Sequence, residues 1–116
     1  MIKIELPWPP SVNHYWLQRR GGGRYISERG VIFRRDVMFL TAKAGLKQFS
    51  EHSRLSIKID VYPPDKRKRD LDNLLKATLD ALQYAKIIFD DAQFDKLTVI
   101  RHTEKLGVIR VTVKEC

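Results

Sequence analysis

The sequence predicts an α+β fold in which two main helices pack on one face of a mixed β-sheet. Several short segments alternate apolar and polar residues, as strands with one buried face do. Two longer segments repeat apolar residues every three or four positions, which is typical of amphipathic helices. The predicted order is strand, hairpin, helix, strand, helix, strand, strand, over one domain spanning residues 1–116.

The first half of the chain is predicted to supply a strand, a hairpin and a helix. In MIKIEL, apolar residues alternate with charged ones, and the prolines that follow end the strand because proline donates no backbone hydrogen bond. HYWLQRRGGGRYIS predicts two short arms around Gly21–Gly23. Helical spacing of Phe33, Val37, Leu40 and Ala44 predicts a helix from about Arg29 to Phe49.

The second half begins with the alternating strand LSIKIDVY and continues into the strongest helical pattern, RDLDNLLKATLDALQYAK. Asp70 is the candidate N-cap of this helix. The helical arc opposite its leucines holds Asp72, Asn73, Lys76, Asp80 and Gln83. FDKLTVIRHT and GVIRVTV are predicted to form a closing hairpin, with its turn at about Glu104–Gly107.

The charge balance points to a polyanionic partner. The chain has 22 Lys plus Arg against 14 Asp plus Glu, a net charge of +8, which favours nucleic acid over a merely basic soluble protein. Cys116 is the only cysteine, which excludes a disulfide framework and a cysteine-based zinc site and fits the cytoplasm. No apolar run is long enough for a signal peptide or membrane span, so no membrane partner is expected.

The segment KRKRDLDN sets the densest positive charge beside two carboxylates. Lys66, Arg67, Lys68 and Arg69 precede Asp70 and Asp72. One interpretation is a solvated loop whose charges pair. The other is a site in which the cations hold a polyanion and the carboxylates hold Mg²⁺, which prefers oxygen ligands.

Lys76, one helical turn after Asp72, is positioned to stabilise developing negative charge. A second acidic pair, Asp90–Asp91, follows the same helix, but roughly 25 Å of helix at 1.5 Å per residue separates the two clusters. Either the fold or a partner subunit would have to bring them together. The structural alternative is a salt-bridged surface ladder of Asp72, Lys76 and Asp80.

Three stretches together resemble the RusA family of Holliday-junction resolvases: LPWPPSVNHYW, KRKRDLDNLLKATLDAL and FDDAQ. The combination D-L-D-N-x-x-K-x-x-x-D-x-L followed by D-D-x-Q is specific, and the match extends over nearly the whole chain. The resemblance implies a RusA-like fold and a homodimeric, Mg²⁺-dependent endonuclease, with Mn²⁺ as a substitute. Such an enzyme cuts four-way DNA junctions by paired nicks during recombination and repair.

The resemblance also assigns roles to individual residues. The family's metal-binding aspartates fall on Asp70, Asp72 and Asp91, and its essential lysine falls on Lys76. Asp90 ranks below its neighbour. All four assigned positions hold the family residue, so an active enzyme is expected.

Further basic residues are candidate DNA contacts. Arg69 is expected nearest the scissile phosphate, and Lys66, Arg67 and Lys68 are expected to contact the phosphate backbone in a salt-dependent way. The arginines that flank the glycines either track a DNA backbone or solubilise a mobile tip: Arg19, Arg20 and Arg24. Trp8 and Trp16 either stack on bases or, as we favour, pack in the core or a dimer interface.

The residues themselves leave two other functions open. One is a non-catalytic basic DNA- or RNA-binding module in which the aspartates are structural. The other is a nuclease that acts mainly on flaps or other branched DNA.

Overall fold

The computed structural model describes residues 1–116 and contains a four-stranded mixed sheet, a small two-stranded sheet and three α-helices. This confirms the predicted α+β class. The strands are β1 (Ile2–Pro7), β2 (Trp16–Gln18), β3 (Arg24–Ile26), β4 (Leu55–Tyr62), β5 (Phe94–Arg101) and β6 (Val108–Glu115). The helices are α1 (Val12–Tyr15), α2 (Glu28–Lys43) and α3 (Leu75–Tyr84), with 3₁₀ turns at Leu71–Leu74 and Asp91–Gln93.

The four-stranded sheet has the order β1-β6-β4-β5. β6 runs antiparallel to both β1 and β4, whereas β5 runs parallel to β4. The predicted closing hairpin of β5 and β6 is therefore wrong, because these strands lie on opposite sides of β4. The physical reason is the α3 crossover, which returns the chain to the edge of β4 in the same direction.

One face of this sheet carries the core. Ile57, Ile59 and Val61 of β4 are buried with residues of α2 and α3 in one apolar cluster, which confirms that the two main helices cover a single face. The other face presents charged side chains to solvent, among them Lys3, Lys58, Lys96, Lys114 and Arg110. The period-two alternation of the strands separates these two faces.

Helix α2 is shorter than predicted. It begins after Ser27, whose side chain accepts a hydrogen bond from the Gly30 backbone N–H at 3.0 Å, and it ends at Lys43 rather than Phe49. Gly45 follows with a φ of +68°, a left-handed conformation that commonly terminates helices at glycine. The predicted arms around Gly21–Gly23 are confirmed as β2 and β3.

Three side chains join α1, α2 and α3. The fully buried Tyr15 donates its hydroxyl hydrogen to Asp80, and Arg34 Nε lies 2.9 Å from the Tyr15 oxygen and 2.8 Å from Asp80 Oδ2. Burial raises the pKa of Tyr15 well above its ordinary value, and the hydrogen bond to Asp80 raises it further. Arg34 and Asp80 are also paired at 2.7 Å, so the three elements meet through one buried hydroxyl.

Replacing Tyr15 with phenylalanine is expected to lower the free energy of unfolding by about 1–3 kcal/mol, the cost of leaving a partly buried polar partner unsatisfied. Urea denaturation followed by circular dichroism measures it. Tyr25→Phe is the control: Tyr25 is 39% exposed, and its change should stay within about 0.5 kcal/mol. Equal losses of unfolding free energy in the two variants would mean that the Tyr15 hydroxyl stabilises the fold no more than an exposed tyrosine hydroxyl does.

Candidate active site and nucleic-acid interface

The basic run after β4 is an ordered turn held by one carboxylate. Asp65 accepts hydrogen bonds from the Arg67 backbone N–H at 2.9 Å and from the Arg69 guanidinium at 2.8 Å. Arg69, followed by the Arg67 backbone, lowers the pKa of Asp65 well below its usual range. A lowered pKa means that these contacts are complete above the ordinary carboxyl pKa of about 4 and are lost only in stronger acid.

Sequence reasoning missed Asp65. Its position two and four residues before the arginines that it binds was the available signal. Arg67 and Arg69 are paired with Asp65, as the interpretation of a loop with paired charges expects, and neither of them pairs with Asp70 or Asp72. Lys66 and Lys68 are exposed and take part in no ion pair.

Arg69 is fixed beside the first candidate aspartate. Its guanidinium carbon lies 5.6 Å from the centre of the Trp8 ring, within cation–π range, and its carbonyl accepts a hydrogen bond from Arg101. Its side chain is 22% exposed. Three separate contacts, with Asp65, Trp8 and Arg101, therefore hold Arg69 in place.

Asp70 and Asp72 have exposed carboxylates that form no ion pair. Asp70 lies at the predicted N-cap position, with extended backbone before the 3₁₀ turn, but its side chain makes no capping hydrogen bond. The alternative ladder of Asp72, Lys76 and Asp80 is not formed either, because Asp80 pairs with Arg34. Asp72 and Lys76 are thus left available to a ligand.

Asp90 and Asp91, the second acidic pair, differ in their contacts. The Asp90 side chain caps the turn Asp91–Gln93 by accepting from the Ala92 backbone N–H at 2.8 Å. Buried Gln93 fixes the turn: its oxygen accepts from the Phe89 and Asp90 backbones, and its nitrogen donates to the Ser50 and Ser53 carbonyls. Asp91 is exposed and makes no such capping hydrogen bond.

The two acidic clusters stay apart within this chain. Asp70 and Asp72 lie before α3 and Asp91 lies after it, and ten helical residues span about 15 Å. No group of three or more His, Cys, Asp or Glu side chains is placed to hold a metal ion. One chain alone therefore does not assemble the predicted three-carboxylate site.

The β2–β3 arm holds its arginines against aromatic rings. Arg19 lies 5.5 Å from the ring centre of Tyr25, and Arg24 lies 5.8 Å from that of Trp16. Arg20 is exposed at the tip. Trp8 and Trp16 are half-buried and pack against the core, as the sequence analysis favoured.

The family model for the endodeoxyribonuclease RusA matches residues 7–114. The chain belongs to the RusA family. This chain is 49% identical over 102 residues to the crossover junction endodeoxyribonuclease of Enterobacteria phage HK97, covering 88% of this chain and 83% of that protein. The proteins of the same name from Enterobacteria phage 82 and Escherichia coli K12 are each 38% identical over 113 residues, covering 97% of this chain and 92% of the relative.

No helix in this chain combines the length and apolar character needed to cross a membrane.

Proposed function

We propose that this protein is a metal-dependent endodeoxyribonuclease that resolves four-way DNA junctions by paired nicks during recombination and repair. The observation that carries the proposal is the pair of exposed, unpaired carboxylates, Asp70 and Asp72, directly after an ordered basic turn. Membership of the RusA family and the names of its relatives support the substrate. Its compartment would be the cytoplasm.

The donor set suits a hard divalent cation. Asp70, Asp72 and Asp91 supply only carboxylate oxygens, which Mg²⁺ prefers and Mn²⁺ accepts. When bound, the metal activates water and neutralises charge on the phosphate under attack. Lys76, exposed one turn after Asp72, would stabilise charge on that phosphate, and Arg69 would orient it.

A two-fold dimer would complete the donor set. If α3 packs antiparallel to its copy in a partner subunit, the start of one helix faces the end of the other. Asp91 of the partner subunit would then approach Asp70 and Asp72, which our chain leaves without a third carboxylate. Two such sites, related by symmetry, are what a junction needs for nicks in two strands.

Apolar side chains on α3 and β5 support this interface. Leu75 and Leu79 are only partly buried on α3. Leu97 is in register with the core residue Ile57, so it lies on the helix-covered face, yet it is 41% exposed. Phe89, after α3, is 56% exposed. Exposed apolar groups of this size are typical of interfaces.

The basic run should set the salt dependence of DNA binding. Replacing Lys66, Arg67 and Lys68 with alanine is expected to weaken binding to junction and duplex alike and to flatten the log–log salt slope by up to about 2.7, since each duplex phosphate contact contributes about 0.9. Fluorescence anisotropy over a salt series measures this slope.

The matched control replaces Lys3, Lys96 and Lys114 with alanine. These substitutions remove three positive charges, as the first set does, but from the open face of the sheet. Its slope should stay near that of the wild type. An unchanged slope in the Lys66, Arg67 and Lys68 variant would mean that the run does not touch phosphate.

Side-by-side cleavage of a four-way junction, a flap and a linear duplex, with and without Mg²⁺, tests the function as a whole. Resolution of the junction alone, and only with metal, is the expected result. Binding without cleavage would favour the non-catalytic module, and faster cutting of the flap would favour a nuclease of other branched DNA.

A further inference from the structure

A cleft beside Asp70 is large enough for one nucleotide. Its volume is about 410 Å³, and its walls include Trp8, Ser11, Lys68, Arg69, Asp70 and Asn73. Clefts of about 300–1,000 Å³ with a few convergent polar groups are typical of small-ligand sites. Because Asp70 forms part of the wall, whatever enters the cleft is adjacent to the proposed metal site.

The cleft's chemistry matches a nucleotide. Lys68, which takes part in no ion pair, and Arg69 offer positive charge to a phosphate. The Trp8 ring, with Arg69 5.6 Å from its centre, offers an apolar surface to a base. The hydrogen bonds of this segment join Arg67 and Arg69 to Asp65 and leave the Asn73 amide without a partner. An amide carries both donors and an acceptor, so it can distinguish one base edge from another.

A second cavity of about 340 Å³ continues the cleft. It shares Trp8, Ser11, Lys68 and Arg69 with the first, and its own walls add Arg29 and Arg67. The common wall gives a basic path longer than one nucleotide. This path fits a strand that runs on past the cleft better than it fits a free mononucleotide.

We infer that this cleft takes an unstacked base next to the scissile phosphate, with Trp8 as its stacking surface and Asn73 as the residue that reads its identity. The inference rests on the proposed nuclease function and adds to it a base preference at the cleavage site, carried by two residues. A base at a branch point is easier to unstack than one inside a duplex, because part of its stacking is already lost. A junction-cutting enzyme can therefore bind and identify a base that would stay stacked, and out of reach, in duplex DNA.

Binding to an abasic junction tests the role of Trp8. In an Asp72→Asn background, removing the base on one side of the scissile phosphate is expected to weaken binding by about tenfold, the size of one base–aromatic stack. Trp8→Leu, which keeps apolar bulk, should show that loss on the intact junction and no further loss on the abasic one. If Trp8→Leu instead weakened binding to the abasic junction as much as to the intact one, whichever side of the phosphate lacked its base, the role of Trp8 would be overturned.

Cleavage of junctions that carry each of the four bases at that position tests Asn73. Asn73→Ala is expected to reduce the rate difference between the best and worst base by about tenfold, the discrimination of one good amide–base pair. Asn13→Ala is the control, since Asn13 is exposed on α1 and lines neither cavity. An unchanged base preference in Asn73→Ala would overturn the inference, whereas cleavage by the Asp72→Asn protein would instead count against the proposed active site.

Discussion

Replacing Asp72 with asparagine is expected to abolish junction cleavage while preserving junction binding. The substitution keeps the side-chain shape and removes one negative charge from an exposed position that has no ion-pair partner. The loss should be on the order of a thousandfold or more in single-turnover rate, as is usual when a charged catalytic group is removed. Binding should stay equal or become tighter, because repulsion toward phosphate falls.

Rates on a labelled junction with Mg²⁺, together with Kd values from gel shift, measure both effects. Glu51→Gln makes the same change of charge at an exposed position in the turn before β4 and should cut normally. Wild-type cutting by the Asp72→Asn protein would remove Asp72 from the site. Loss of cutting together with loss of the folded far-ultraviolet spectrum would show a structural role instead.

Mixing Asp72→Asn chains with Asp91→Asn chains is expected to restore nicking that neither variant shows alone. If each site takes Asp72 from one subunit and Asp91 from the other, a mixed dimer has one site with both defects and one with neither. The intact site nicks a single strand, so the product is a nicked junction rather than a resolved one. Refolding the two variants together and scoring products on a denaturing gel measures this recovery.

A mixture of Asp70→Asn and Asp72→Asn chains is the matched control. Both residues lie before α3, so every site in that mixture keeps one defect and no activity should return. If the three aspartates instead converged within each chain, the Asp72→Asn and Asp91→Asn mixture would stay inactive as well. The experiment therefore separates a shared site from a site contained in one subunit.

The strands and the faces of the sheet could be predicted because alternation depends only on neighbours along the chain. Ile57, Ile59 and Val61 point to the core as their spacing indicated. Alternation does not say which strand pairs with which, so the parallel pairing of β5 with β4 was mistaken for a hairpin.

The candidate site was also predictable only where it depends on neighbours along the chain. The location of Asp70, Asp72 and Lys76 at a helix start followed from local spacing, whereas local spacing does not determine where Asp91 lies relative to them. Contacts across long sequence separations also escaped the pattern: Gln93 holds its turn by donating to carbonyls at Ser50 and Ser53. Such hydrogen bonds leave no periodic signal, and only the folded chain reveals them.

The central place of β6 delays the maturation of this protein on the ribosome. β6 lies between β1 and β4 in the sheet, so these two strands cannot be joined until residues 108–115 have been synthesised. At about 5–20 residues per second, β1 waits roughly 5–20 s for its neighbour. The four-stranded sheet is therefore expected to close only after β6 has been synthesised, so the complete fold is a late product of translation.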